Sequence, residues 1–74
     1  MPYIAIKGYP KDAETKQKVV EEINQILLKY WGCPQGAISI SLEEFAPEEW
    51  ESRVVEKEIK PNHNKMVILC GEWL

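Results

Sequence analysis

Ala37-Ile38-Ser39-Ile40-Ser41-Leu42 alternates apolar and polar residues without a break. Successive side chains of an extended chain point to opposite faces, so this spacing predicts a strand over 37–42 with Ile38, Ile40 and Leu42 on one face. Upstream, Val19, Val20, Ile23, Ile26, Leu27, Tyr30 and Trp31 recur at three- and four-residue intervals. That period belongs to an amphipathic helix of about 18 residues, with Lys16, Lys18, Glu21, Glu22 and Gln25 on or toward its wet side. Asp12 is placed to cap its N-terminus, and Glu14 lies near the positive end of its dipole. Gly32 suits the left-handed position after the last turn, and Pro34 prevents continuation. Further out, the short apolar run of residues 3–7 is bounded by Gly8 and reads as a first strand. Gly8-Tyr9-Pro10-Lys11 then reads as a turn. Two strands joined by a long helix make a right-handed β-α-β unit with parallel strands. The helix covers the isoleucine face, leaving Ser39 and Ser41 toward solvent or a second subunit.

Downstream, Ala46-Pro47-Glu48-Glu49 has proline at a first helical position and acids in the first turn. Trp50, Val54 and Glu58 share a helix face, so a second, charge-rich helix runs to about residue 59 with Trp50 turned inward. Residues 60–65 read as a polar loop and Met66-Val67-Ile68-Leu69-Cys70 as a last strand, followed by the tail Gly71-Glu72-Trp73-Leu74. Residues 1–74 form one domain with no internal linker or low-complexity tract.

A chain of 74 residues is small, and a domain of this size buries only about 60% of its unfolded surface. Disulfides, a metal or a partner subunit make up such deficits. Cys33 and Cys70 do not form a disulfide framework and no Cys/His cluster offers a zinc site, so oligomerisation is the expected remedy. Both cysteines read as buried, reduced thiols. A net charge of −3 with a single arginine, Arg53, argues against nucleic acid as a partner. No apolar run reaches the roughly 20 residues of a membrane span, and no secretory leader is present. A soluble, cytoplasmic protein is expected.

Pro2 is the first candidate for chemistry. Removing Met1 would leave a secondary amine, a possible general base, held in the protein body by the strand behind it. Many chains begin Met-Pro without chemical reason, so the dipeptide by itself decides nothing. Lys11 alone is a solvated turn lysine, Trp50 alone a core tryptophan, and Ser39 alone a polar strand residue. His63 lies in a polar loop and reads as solvated. Tyr3 either lines a site beside Pro2 or packs across a subunit contact.

These pieces together form a pattern. Pro2 heading a β-α-β unit, the Ile38-Ser39-Ile40-Ser41-Leu42 strand and Phe45-Ala46-Pro47-Glu48-Glu49-Trp50 resemble the 4-oxalocrotonate tautomerase superfamily, most closely its small PptA-like branch. The resemblance runs from residue 2 to about residue 59. It implies the α/β tautomerase (MIF-like) fold: two parallel strands with a long crossover helix, a second short helix and a C-terminal strand, completed by oligomerisation. A homo-oligomer, with a dimer favoured, is expected. It further implies cofactor-free, metal-free tautomerisation of an enol or 2-keto acid in a site shared between subunits. The family's catalytic proline falls on Pro2, its basic residue after the first strand near Lys11, and its site-walling aromatic on Trp50. A second, substrate-binding arginine falls on Ser39, which is a departure. With one obvious cationic anchor, the expected substrate is a monocarboxylate such as a phenylpyruvate-like enol. Arg53 is either a substitute anchor or an exposed helix arginine.

The chemistry fits these residue types. Keto–enol exchange needs a base whose pKa lies near working pH. A free prolyl amine is intrinsically too basic, but burial against Trp50 and a nearby Lys11 cation would both lower its pKa. Lys11 would also bind a carboxylate or steady an enolate, and Trp50 would stack on an unsaturated substrate. Two other readings are a non-catalytic oligomeric binding or scaffold protein that keeps the fold, and a dehalogenase or hydratase relative. The latter relies on extra arginines and an activating acid.

Overall fold

A computed structural model describes all 74 residues. Strand β1 (Tyr3–Gly8) is followed by helix α1 (Ala13–Ile26). Asp12 caps α1 as its position predicts: its carboxylate accepts the Thr15 N–H at 3.3 Å and the Thr15 hydroxyl at 2.6 Å. The helix continues through a wider turn, Leu27–Trp31, with i→i+5 bonding, and stops at Gly32, whose φ is 70°. The Gly32 N–H donates to the Leu27 carbonyl at 3.2 Å. Only glycine holds this left-handed geometry without a Cβ penalty, which is why the helix ends there.

Strand β2 (Ser39–Glu44) pairs parallel with β1, in a register that sets Tyr3 against Ser39 and Gly8 against Glu44. The pattern alone placed this strand at 37–42. Ala37 belongs instead to a short 3-10 turn, Gln35–Ala37. The far end follows the partner strand to Gly8, whose carbonyl accepts the Phe45 N–H at 2.9 Å. Asn24 on α1 and Gln35 before β2 exchange two side-chain amide bonds, each 2.9 Å, which satisfy both groups at once. As expected, α1 covers the isoleucine face. Val20, Ile38 and Ile40 line one cleft between helix and sheet, while Tyr3, Ala5, Ser39 and Ser41 on the other face are exposed.

The second helix, α2, starts at Pro47–Trp50 with an α turn and continues through Glu51–Ile59 with i→i+5 bonding. The Glu49 carboxylate accepts the Ala46 N–H at 3.3 Å, half of a capping box, since Ala46 has no side chain to answer it. The Asn62 amide donates to the Glu58 carbonyl at 2.8 Å and closes the other end. A Lys7–Glu58 ion pair of 2.6 Å ties α2 to β1. Phe45 is buried at the junction, with the Lys7 ammonium 5.9 Å and the Arg53 guanidinium 5.3 Å from its ring centre.

The C-terminus departs from the single strand read at 66–70. The run folds back on itself: β3 (Ile68–Leu69) pairs antiparallel with β4 (Glu72–Trp73) around Cys70 and Gly71. Both turn residues have positive φ, 50° and 85°, the geometry of a two-residue hairpin turn. Cys70 is therefore exposed, not buried, and Cys33 is half-buried.

Only Pro2, Leu27, Phe45 and Val54 are buried. The surface is 5897 Å², against about 4,700 Å² for a compact monomer of this mass. The radius of gyration is 13.8 Å, where a chain this long packs to about 11 Å. One chain leaves much of its apolar surface uncovered.

Candidate functional site

The turn after β1 and the start of α2 meet over the end of the sheet and enclose a cavity of about 480 Å³. Ile6, Val19 and Leu42 form its floor, and Tyr9, Lys11 and Trp50 stand around it. Pro47 at the head of α2 fixes where Trp50 emerges, one turn into the helix. The Tyr9 ring meets Trp50 edge-on, with centroids 5.3 Å apart and planes at 81°. This T-shaped pairing suits aromatic quadrupoles and holds the indole in place.

The polar rim is specific. The Glu44 carboxylate accepts the Lys11 backbone N–H at 2.9 Å and pairs with the Lys16 ammonium at 3.2 Å. These contacts, the Lys11 N–H first, hold Glu44 below the usual carboxylate range. Lys16 is thereby committed, whereas the Lys11 ammonium takes part in none of the five ion pairs of the chain. An apolar cavity with one unpaired cation at its mouth can accept a flat apolar anion.

Pro2 is elsewhere. Its ring is buried at the start of β1, and its carbonyl accepts the Ser39 N–H at 3.2 Å. Ser39 is exposed opposite Tyr3. From Pro2 to Gly8 the chain advances six residues of nearly extended strand, about 20 Å. The four residues singled out from sequence therefore fall into two pairs within one chain: Pro2 with Ser39, and Lys11 with Trp50. Neither Pro2 nor Ser39 lines the cavity. The expected action of Trp50 and Lys11 on the Pro2 amine cannot occur inside one protomer; it requires a neighbouring copy. Met1 is 95% exposed, open to removal by an aminopeptidase.

Arg53 bonds Glu49 at 2.9 Å besides covering Phe45, which fits the exposed helix arginine better than a second anchor. His63 lies exposed in a short turn. Sequence reasoning passed over Tyr9, Lys16 and Glu44. Tyr9 had a signal, standing two residues before Lys11 at a turn. Glu44 had none, because only the strand register brings it to the rim.

Residues 2–63 match the family profile described as "Tautomerase enzyme". Similar proteins include Tautomerase PptA of Cronobacter sakazakii, 33% identical over 63 residues covering 82% of this chain and 83% of that protein. Tautomerase PptA of Pectobacterium atrosepticum is 31% identical over 64 residues, 84% of each chain. That of Escherichia coli O127:H6 is 29% identical over 69 residues, 90% of this chain and 91% of the relative. With the parallel β-α-β unit and the cavity at its end, these matches establish that the chain belongs to the tautomerase family of enzymes.

Proposed function

We propose that this tautomerase interconverts the enol and keto forms of an aromatic 2-keto monocarboxylate, with the Pro2 amine of one copy acting on a substrate held in the Lys11–Trp50 cavity of another. The observation that carries the proposal is the cavity itself: apolar on three sides, aromatic at Trp50, with a single uncommitted cation at its mouth. The aryl group lies against Trp50 and the carboxylate reaches Lys11. A second carboxylate would meet the Glu44 carboxylate at the rim, an unfavourable approach of like charges.

The proton balance is simple. Once Met1 is removed, the prolyl nitrogen carries a lone pair; with Met1 attached it is a tertiary amide and has none. The amine takes the enol O–H proton and the resulting ammonium returns a proton to the carbon that becomes saturated, so nothing else is consumed. The Lys11 cation stabilises the negative charge on the enolate in between. The same cation and the indole lower the amine's pKa toward neutrality.

Intact mass together with an ultraviolet assay of phenylpyruvate ketonisation tests this. Expected are a chain lacking Met1 and a rate that falls about 100-fold or more in Pro2→Ala, the scale of a lost general base. A trimmed protein inactive on a panel of enol acids, or equally active after the substitution, would overturn the proline mechanism and favour a binding role.

A further inference from the structure

Residues 66–74 play no part in the site above, and they lie wholly beyond the segment that matches the family, which ends at residue 63. They are nevertheless folded. The hairpin turns at Cys70 and Gly71, and the Leu74 N–H closes on the Val67 carbonyl at 2.8 Å. A cysteine at φ 50° adopts a backbone that side chains other than glycine rarely take. The fold thus holds a strained turn in order to bring Trp73 back beside Ile68. Yet the result faces water: Trp73 is 79% exposed, and Val67, Ile68 and Leu74 are exposed with it. A hairpin with two-residue strands does not sustain itself in water. Something outside the chain covers it.

We propose that this hairpin is a self-association arm whose apolar face, Val67, Ile68 and Trp73, docks on a second copy of the chain. The area agrees. One protomer exposes about 1,200 Å² more than a compact monomer would, enough for the ~800 Å² per partner of a standard interface. Tyr3, Tyr30 and Trp31, also exposed, offer apolar ground on the facing copy. A membrane is the poorer occupant, because residues 66–74 contain no lysine or arginine and carry Glu72 and the terminal carboxylate. The arm also bears on the cavity behind Trp50. Met66 at its base lines that 330 Å³ space with Val54, Ile59 and Trp50, so docking would stiffen the aromatic wall.

The proposal is independent of the Pro2 chemistry, since an assembled but inactive protein would leave it standing. Sedimentation velocity on the full-length protein from nanomolar to high micromolar concentration tests it, alongside Trp73→Glu. Trp73 is exposed in the protomer, so far-ultraviolet dichroism of the variant should be unchanged. Its dissociation constant should rise about 100-fold or more, because a symmetric interface contains the substitution twice and a central tryptophan is a typical hot spot. In case the variant misfolds, wild-type protein carrying 5-fluorotryptophan, with the Trp73 resonance assigned through Trp73→Phe, should show that resonance shifting as dilution dissociates the assembly. A wild-type monomer at all concentrations, an unchanged constant in a folded Trp73→Glu, or a Trp73 resonance indifferent to dilution would overturn the proposal. So would a monomer that co-sediments with phosphatidylcholine vesicles through Trp73.

Discussion

The two ends of β1 are built for different tasks. At the Pro2 end the ring is buried, the backbone is fastened to Ser39 and no cavity opens. At the Lys11 end an open cavity has an aromatic wall and a rim in which one cation is paired and the other is not. In the proposed reading the first end holds a base and the second holds a ligand. A six-residue strand keeps them apart. A protein this small lacks the chain to wrap both around one substrate, and copying the protomer brings opposite ends together at no cost in length.

The sharpest way to break this comparison is to disable each end in a different copy. Pro2→Ala and Lys11→Gln should each be nearly inactive. Mixed and reassembled in equal amounts as a random dimer, they should recover about one quarter of wild-type ketonisation, since half the sites in each mixed dimer are intact. Recovery of nothing would place both residues in one subunit's site or exclude a role for one of them.

Next in size is Trp50→Ala. It removes an indole from the cavity and from its contact with Tyr9, and should cost about 2 kcal/mol of stability for a half-buried ring. Michaelis constants for aryl enol acids should rise more than those for alkyl ones, while Pro2 titration in a tagged substrate-free protein stays in place. Tyr9→Phe, which keeps the edge contact, should behave as wild type in the same assay.

A smaller effect separates the two lysines of the rim. Lys11→Gln should raise the Michaelis constant about tenfold, the worth of one charge-assisted contact. Lys16→Gln should change it less than threefold, because Lys16 is already committed to Glu44. Equal effects would mean that the ion pair opens to receive the substrate.

The smallest expected effect is in acid stability. Glu44 is held low by the Lys11 N–H and then Lys16, Asp12 by the Thr15 hydroxyl and then its N–H, and Glu49 by Arg53 and then the Ala46 N–H. A carboxylate whose folded pKa is depressed binds protons more weakly in the folded state. Its stabilising contribution is complete above the ordinary carboxylate range and is lost as pH falls through the folded value. Lys7 and Lys60 are raised by Glu58 and Glu56, so their contribution is complete below the ordinary lysine range and fades only in strong alkali. Urea midpoints should therefore be level near neutrality and fall below about pH 4. Glu44→Gln should flatten part of that fall, and all three carboxylates lie away from the Pro2 end.

The sequence was most legible where one period repeats. The α1 stripe from Val19 to Trp31 and the isoleucine face of β2 follow from side-chain geometry alone, and Asp12 and Gly32 mark the helix ends. Boundaries that depend on a partner were not legible: β2 ends at Glu44 because β1 ends at Gly8. The hairpin was hidden because an unbroken apolar run carries no turn signal until Gly71, and Cys70 is an unusual residue for positive φ. Pro2, Lys11, Ser39 and Trp50 could be named from their resemblance to a family pattern. Their division between two ends could not, since it depends on which way the strand runs past the cavity.

The paired amides of Asn24 and Gln35 bear on how the chain folds. Parallel strands are slow to find one another, because Tyr3 must meet Ser39 across the whole crossover. The amide clasp spans only 11 residues, a loop whose closure is far less demanding in entropy. Once α1 has formed, it hands β2 back along its own flank, and the remaining search is for a first strand only five residues from the helix start.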